Sequence, residues 1–229
     1  MRKLIPVNTS YYISESKEMK YGDGVELFPE QSKVGDRFIT SDYIYTMRNE
    51  NGWSVKVRHN DKTEYQAILG SINGVKTNSL ARAFLECRKL KVAPAIPNGV
   101  KNLDEAFSNC ISLEKAPTIP ESVRNMYGAF RDCKKLVEAP KIPDGAWYLE
   151  ETFCGCRSLI KAPEIPKSVA WMNGTFWHCT ALKGVLVCHA NIESPNYTLR
   201  GTQISAIEGS CTEETKRRLM ETQHGKIIL

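Results

Sequence analysis

Apolar positions in the middle of the chain recur every 23 residues. Residues 130–143 read FRDCKKLVEAPKIP, and the stretches 23 residues before and after read FSNCISLEKAPTIP and FCGCRSLIKAPEIP. The recurring positions form a Phe column (Phe84, Phe107, Phe130, Phe153, Phe176), a Cys column (Cys87, Cys110, Cys133, Cys156, Cys179) and a Leu column (Leu90, Leu113, Leu136, Leu159, Leu182). Ile-Pro pairs at Ile96, Ile119, Ile142 and Ile165 follow. Such a period indicates tandem turns that bury the same positions against their neighbours.

This period predicts an α/β solenoid, a leucine-rich-repeat array of 23-residue turns. We expect each turn to lay one short strand, such as 113–119, beside the strand of its neighbour. Pro117 shortens that strand because proline cannot donate to a ladder. The return leg, such as 125–130, is predicted to form one helical turn capped by Asn125, as Asn102 caps the preceding turn.

Both ends of the array are predicted to be closed by different structures, because end turns would otherwise expose the core. Upstream, DRFITSDYIYTM and WSVKVRHN alternate like two strands joined at NENG, which predicts a β-rich N-terminal cap. EYQAILGSING then reads as a degenerate strand in the place of a preceding repeat.

Downstream, Leu199 and Thr202 fall in the Phe and Cys registers of a decayed last turn. Ser210 and Glu213 form a capping-box pattern, so a helix is expected from about 211 to 223, ending at Gly225. The tail 226–229 is a candidate further strand. We therefore divide the chain into residues 1–75 (N-terminal β-rich region and cap), 76–187 (repeats) and 188–229 (last repeat and helical cap).

Composition and charge narrow the class of protein. The chain has 229 residues, 41% hydrophobic and 25% charged, with a net charge of +5 and no long run of Lys or Arg. This balance does not favour nucleic acid as the sole partner. The first ten residues lack the apolar run of a secretory signal, and no stretch has the length of a membrane span. We expect a cytoplasmic protein without membrane contact, with the virion or cell surface as the alternative.

The eight cysteines are expected to be free thiols in a reducing compartment. Cys-column members are interpreted as small buried hydrophobes. Cys154 and Cys156, with the pairs His178–Cys179 and Cys188–His189, match no common zinc spacing, so no metal or cofactor is predicted. GxSxG, GxGxxG, P-loop and HExxH motifs are absent, so we predict no enzyme, no small-molecule substrate and no catalytic residue. A cysteine or metal enzyme is kept as the remaining alternative.

Departures from the repeat are the candidate binding residues. The position held by Asn102 and Asn125 becomes Tyr148 and then Trp171. Aromatic residues also replace polar ones at Trp147 and Trp177. Clustered Trp and Tyr side chains are typical of binding hot spots, whereas packing beneath segment 184–200 is the alternative. We expect Tyr148 and Trp171 to lie side by side, about 5 Å apart, on the leg opposite the strands.

A second candidate surface is basic. Lys134, Lys135 and Arg157 follow the Cys column closely, although nearby glutamates and the absence of interleaved aromatics weaken a nucleic-acid groove. An ordinary solvated surface is the other interpretation of these charges.

The pattern F-x-x-C-x-x-L-x-x-A-P-x-I-P resembles the BspA-type leucine-rich repeats of bacteria. The leader GWSVKV…DKTEYQAILGSING and the trailer after Gly201 resemble small proteins of that type in Firmicutes and their phages, so the likeness covers about residues 50 to 215. The resemblance implies a non-catalytic module that binds another protein. One concrete version is a phage or mobile-element inhibitor of a host factor such as a CRISPR nuclease. The alternative is an adhesin-like surface or virion attachment protein.

Overall fold

The computed structural model describes residues 11–14, 17–20, 34–35, 37–40, 42–49, 52–65, 67–72 and 75–224. A seven-stranded sheet with the order β2-β1-β3-β4-β5-β7-β6 precedes the repeats. Its strands are β1 (Tyr11–Ser14), β2 (Lys17–Lys20), β3 (Arg37–Ile39), β4 (Tyr43–Asn49), β5 (Gly52–Val57), β6 (Ser71–Ile72) and β7 (Val75–Ser79). All neighbours are antiparallel except β5 and β7, which are parallel.

The first predicted strand, DRFITSDYIYTM, is divided into β3 and β4. Tyr43 and Thr40 exchange hydrogen bonds across this break: Thr40 N–H donates to Tyr43 O and Tyr43 N–H to Thr40 Oγ1. Apolar alternation predicted β4 and β5 correctly, because Tyr45 and Trp53 are buried while Lys56 is exposed. The turn residues Glu50 and Asn51 lie outside the described residues.

The repeat columns form a continuous core. The rings of the Phe column stack at centroid separations of 5.0, 5.4, 5.7 and 5.7 Å, with planes within 7° of parallel. Each Cys Sγ from Cys110 onward donates to the carbonyl of the Phe in the preceding turn, at 3.0–3.2 Å. Tyr43 and Tyr65 pack edge-on against Phe84, so the sheet covers the first ring of the stack.

The predicted strand 113–119 is reduced to single bridges. Parallel bridges join Val92, Lys115, Glu138 and Lys161 on one leg, and a second ladder joins Ser79, Asn102, Asn125, Tyr148, Trp171 and Ser194 on the other. Between β7 and residue 183, no strand longer than a single bridge is present in the described chain. The leg that carries Tyr148 and Trp171 is therefore itself a bridge ladder, not a leg opposite the strands.

The predicted helical turn is wrong. Residues 103–110 form consecutive four-residue turns, in which Ala106 N–H donates to Leu103 O and Cys110 N–H to Phe107 O. Glu105 and Asn109 adopt positive φ of 48° and 61°, which interrupts the right-handed helical path. Alternate N–H groups then point at the next turn, as where Phe107 donates to Ala129 O at 2.8 Å.

Beyond the repeats, β8 (Lys183–Val187) pairs in parallel with β9 (Gln203–Glu208), and α1 (Glu213–Gln223) follows. The predicted helix is present, but its N-cap is Thr212, whose hydroxyl accepts from Thr215 N–H, and not Ser210. Gly225 and the tail 226–229 lie outside the described residues. Among the described helices, none has the length and apolar character that a membrane crossing requires.

The end of α1 supplies hydrogen bonds where the next repeat would be. Leu199 N–H donates to Thr222 Oγ1 at 3.1 Å. The Gln223 side-chain amide donates to the carbonyls of Thr202 and Ile204 at 3.1 and 3.0 Å. Side chains of α1 thus contact backbone groups of the last turn and of the β9 edge.

Candidate partner-binding surface

The Cys column is buried and chemically quiet. Its members have no measurable exposure, and burial is the largest cause that raises the pKa of each thiol. Since the thiolate is the nucleophile and the metal ligand, these thiols are poorly suited to either role. The described residues contain no group of three or more His, Cys, Asp or Glu side chains placed to bind a metal ion.

Three of the predicted aromatic residues lie together on neighbouring turns. The Trp147 ring lies 5.4 Å from the Tyr148 ring and is 47% exposed. A backbone bridge joins Tyr148 to Trp171, which is half-buried. The ring that stacks on Tyr148, however, is Tyr127 of the preceding turn, at 5.9 Å and 27°. We call Tyr127, Trp147, Tyr148 and Trp171 the aromatic ledge.

Tyr127 was missed by the sequence analysis because it occupies a different repeat position from Tyr148. Its position is held by Asp104 one turn earlier and by Glu150 one turn later, so the aromatic substitution was visible in the sequence. Comparing neighbouring columns, and not one column at a time, would have identified it.

Trp177 belongs to a separate cluster. Its ring stacks on Tyr197 at 5.6 Å and on His178 at 5.0 Å, and the Arg200 guanidinium lies 5.7 Å from the Tyr197 centroid. The indole N–H of Trp177 is buried without a hydrogen-bond partner among the described residues. Segment 184–200 therefore supplies the ring against which Trp177 packs.

Carboxylates surround the ledge. The Tyr148 hydroxyl donates to Glu150 Oε2 at 2.5 Å, and Asn173 Nδ2 donates to Glu150 Oε1 at 2.5 Å. That hydrogen bond, together with burial and the Glu150 charge, raises the pKa of Tyr148 to about 12. Burial and the nearby charges of Glu151 and Glu105 raise the pKa of Tyr127. Both ledge tyrosines therefore lie near carboxylates, with Arg131 as an opposing positive charge near Tyr127.

The basic candidates lie elsewhere on the repeat. Lys134, Lys135 and Arg157 are exposed and follow the Cys column within its turns. Within the described chain none of the three forms an ion pair. This arrangement is an exposed, positively charged surface.

One polar chain was not anticipated. His189 Nε2 lies 2.9 Å from Glu164 Oε1, and its Nδ1 lies 2.9 Å from Ser210 Oγ and accepts from Ser210 N–H at 3.1 Å. Nδ1 accepts a backbone N–H and Nε2 faces a carboxylate, so the His189 ring links Glu164 and Ser210, each about one repeat away along the chain. Three residues separated by 25 and 21 positions carry no recognisable spacing signal.

The sequence profile of the BspA type leucine rich repeat region matches six copies over residues 79–183 and 104–215, which is more than half of the chain. The chain belongs to the BspA-type leucine-rich repeat family. This confirms the resemblance carried by the Phe, Cys, Leu and Ile-Pro columns. No curated protein matches the sequence.

A solved structure shows the same fold. A leucine-rich repeat protein of T. pallidum aligns with a TM-score of 0.54 and 18% identity, covering 76% of this chain and 89% of its own. A leucine-rich repeat protein of Bacteroides ovatus aligns with a TM-score of 0.49 and 22% identity, covering 73% of this chain and 57% of its own. The fold of this BspA-type protein is thus of the leucine-rich-repeat type, a class of protein-interaction or surface modules that are generally non-catalytic.

Proposed function

We propose that this BspA-type repeat protein is a non-catalytic module that binds another protein through its aromatic ledge. The observation that carries this proposal is the ledge itself: aromatic side chains replace polar residues of sister turns, and Trp147 is 47% exposed. Exposed Trp and Tyr clusters are typical of hot spots because they bury large rings at low entropic cost.

The stacked turns support this role by rigidity. We propose that they form a solenoid closed at one end by the N-terminal sheet and at the other by β9 and α1. Rings stacked at 5.0–5.7 Å and backbone hydrogen bonds between turns hold the ledge at fixed spacing. A preorganised surface loses little conformational entropy when a partner binds.

Two finer parts of the proposal concern location and role. The cytoplasm suits a core of reduced thiols, because all eight cysteines are free and seven of them are buried. An inhibitor of a host factor, supplied by a phage or a mobile element, is the concrete role that we propose for such a module. Its support is the resemblance of leader and trailer to small phage proteins.

The test compares three baits in a lysate of the host bacterium: the wild-type chain, Trp171→Ala and Lys141→Ala. Lys141 is exposed and, among the described residues, its one ion pair is with the exposed Glu121, so its variant is a matched surface control. We expect one protein to be enriched by the wild type and by Lys141→Ala but not by Trp171→Ala. With that protein purified, Trp171→Ala should weaken binding by about 2 kcal/mol.

The opposite outcome is equally clear. If Trp171→Ala lowers thermal stability and leaves binding unchanged, the Trp171 ring contributes to packing and not to recognition. Binding that falls with added salt and with Lys134→Ala would then move the interface to Lys134, Lys135 and Arg157.

A further inference from the structure

A tyrosine lies between two carboxylates along one column of the repeat. Asp104, Tyr127 and Glu150 occupy equivalent positions on three successive turns. Tyr127 stacks on Tyr148, whose hydroxyl in turn donates to Glu150. Aromatic faces and acidic oxygens are thus interleaved on the aromatic ledge, at the spacing of the repeat.

The two carboxylates have no cationic partner from the described part of the chain. The arginines nearby are engaged elsewhere: Arg82 pairs with Glu105 at 2.6 Å, and Arg131 pairs with Glu151 at 2.8 Å. Neither Asp104 nor Glu150 forms an ion pair with a described side chain. Burial and the charge of Glu105 raise the pKa of Asp104, and the nearby charge of Arg82, which is paired with Glu105, opposes this only in part.

The last turn shows an arginine placed over a similar pair of aromatic rings. There the chain supplies its own cation, and Arg200 lies over the Tyr197 ring at 5.7 Å, beside Trp177. Among the described residues this is the one cation–π contact, so the ledge rings are not covered in the same way. Attraction between a cation and an aromatic face is strengthened where carboxylates flank the ring.

We infer that the aromatic ledge receives an arginine or lysine side chain of the partner protein, placed against Tyr127, Tyr148 and Trp147 between the carboxylates of Asp104 and Glu150. This inference rests on the proposed function and specifies the partner: a protein segment that presents a basic side chain. Charge complementarity selects it, because neither Asp104 nor Glu150 forms an ion pair with a described side chain, although the whole chain carries a net charge of +5.

The probe is a short peptide, acetyl-Gly-Arg-Gly-Arg-Gly-amide, added to the full-length protein while the tryptophan indole N–H signals are followed by NMR. A peptide with citrulline in place of arginine has nearly the same shape without the charge. We expect the arginine peptide to shift the signals of Trp147 and Trp171, and the citrulline peptide to leave them unchanged. The indole signal of Trp53, which is fully buried, monitors the fold.

Two nearly isosteric variants test the carboxylates. Asp104→Asn and Glu150→Gln should each lower the affinity for the arginine peptide by about threefold or more, which corresponds to about 0.65 kcal/mol. Glu114→Gln removes an exposed carboxylate elsewhere in the repeat and should have no effect. A lysine peptide distinguishes the two cations, since a guanidinium also stacks on the rings and an ammonium does not.

Equal shifts with arginine and citrulline, or equal losses with Glu150→Gln and Glu114→Gln, would overturn the inference. Its failure is separable from that of the proposed function. If the captured protein depends on Trp171 but binds Asp104→Asn and Glu150→Gln as well as the wild type, the binding module stands and the cation site is rejected. If the arginine peptide binds but no protein is captured through the ledge, the cation site stands and the proposed function is rejected.

Discussion

In the central turns the Phe107 N–H donates to the backbone carbonyl of Ala129 in the next turn at 2.8 Å, whereas Leu199, at the same register, donates to the hydroxyl of Thr222 in α1 at 3.1 Å. The same buried donor is satisfied by backbone in one region and by a side chain in the other. The Cys column changes in parallel, because Cys179 donates to the preceding turn while Thr202 donates within its own turn.

This difference shows which interactions depend on a following repeat. In the central turns, stacking gives the backbone N–H and C=O groups hydrogen-bond partners in the turns on both sides. These hydrogen bonds need no particular side chain. Where stacking stops, each backbone group needs a specific polar residue, as buried groups must be hydrogen-bonded. Backbone hydrogen bonding is therefore independent of side-chain identity in the middle of the array and depends on specific polar residues at its end.

Alkaline pH should destabilise the central turns, which carry the Cys column, more than the last turn, where Thr202 takes the place of the cysteine. The pKa values of Cys110, Cys133, Cys156 and Cys179 are raised in the folded protein, chiefly by burial. Their contribution to stability is complete below the unfolded pKa of about 8.5 and is lost as pH rises towards the folded values. Above about pH 9, the free energy of unfolding should fall by roughly 5 kcal/mol per pH unit for the four thiols.

Guanidinium unfolding under reducing conditions at several pH values between 7 and 10 measures this slope. In Cys133→Ala the slope should be smaller by about 1.4 kcal/mol per pH unit, because one titrating thiol is gone. Stability that is constant between pH 8 and 10 would contradict the burial of the column.

Phe130→Ala should be the most damaging single truncation in the central turns. The ring is fully buried and stacks on Phe107 and Phe153, so a cost of about 3–5 kcal/mol is expected. Leu199→Ala at the same register in the last turn should cost nearer to 2 kcal/mol, the lower end for Leu truncation. Denaturant melts of both variants measure the difference, and a cost below about 1 kcal/mol for Phe130→Ala would show that this ring is not in the core.

Thr222→Val removes the acceptor of the Leu199 N–H with almost no change of shape. Leaving that buried donor without a partner should cost about 1–3 kcal/mol. Thr222→Ser keeps the hydroxyl and is the control. Hydrogen exchange at the Leu199 amide gives the local measurement: faster exchange in Thr222→Val is expected, and unchanged protection would mean that α1 does not supply this partner.

The repeat fold could be predicted because its signal is periodic. Phe130 and Cys133 belong to columns fixed by packing alone, so their burial follows from the 23-residue spacing. The local path of Glu105 and Asn109 was missed because an apolar i,i+4 pair is compatible with both a helical turn and consecutive tight turns. The overlooked signal is glycine in sister turns, at Gly128 in the register of Glu105 and at Gly155 in that of Asn109, since glycine readily adopts positive φ. Hydrogen bonds to the next turn hold Glu105 and Asn109 in this conformation.

At the ledge, the sequence identified the substitutions at Tyr148 and Trp171 but not which rings meet. Ring contact depends on side-chain direction, which brings Tyr127 onto Tyr148 from a different column. Likewise, Ser210 was predicted as a helix cap from its spacing to Glu213. The structure places it on His189, a partner 21 residues away that no local pattern indicates.

The smallest effect is expected from Thr202→Cys, which carries the Cys column into the last turn. Thr202 is nearly buried and donates to Leu199 O at 2.8 Å. By analogy with the central turns, a thiol here should donate instead to the Phe176 carbonyl. Exchanging one weakly favourable hydrogen bond for another should change the free energy of unfolding by less than about 1 kcal/mol.

Thiol reactivity then shows whether the last turn is as stable as the middle. The new thiol should be alkylated faster than Cys179 in the native protein, because end turns open locally at lower free energy than the core. Peptide mass spectrometry after brief alkylation distinguishes the two positions. Equal labelling of both would mean that α1 and β9 hold the last turn as firmly as a following repeat would, and the contrast between middle and end would then be confined to the identity of the hydrogen-bond partners.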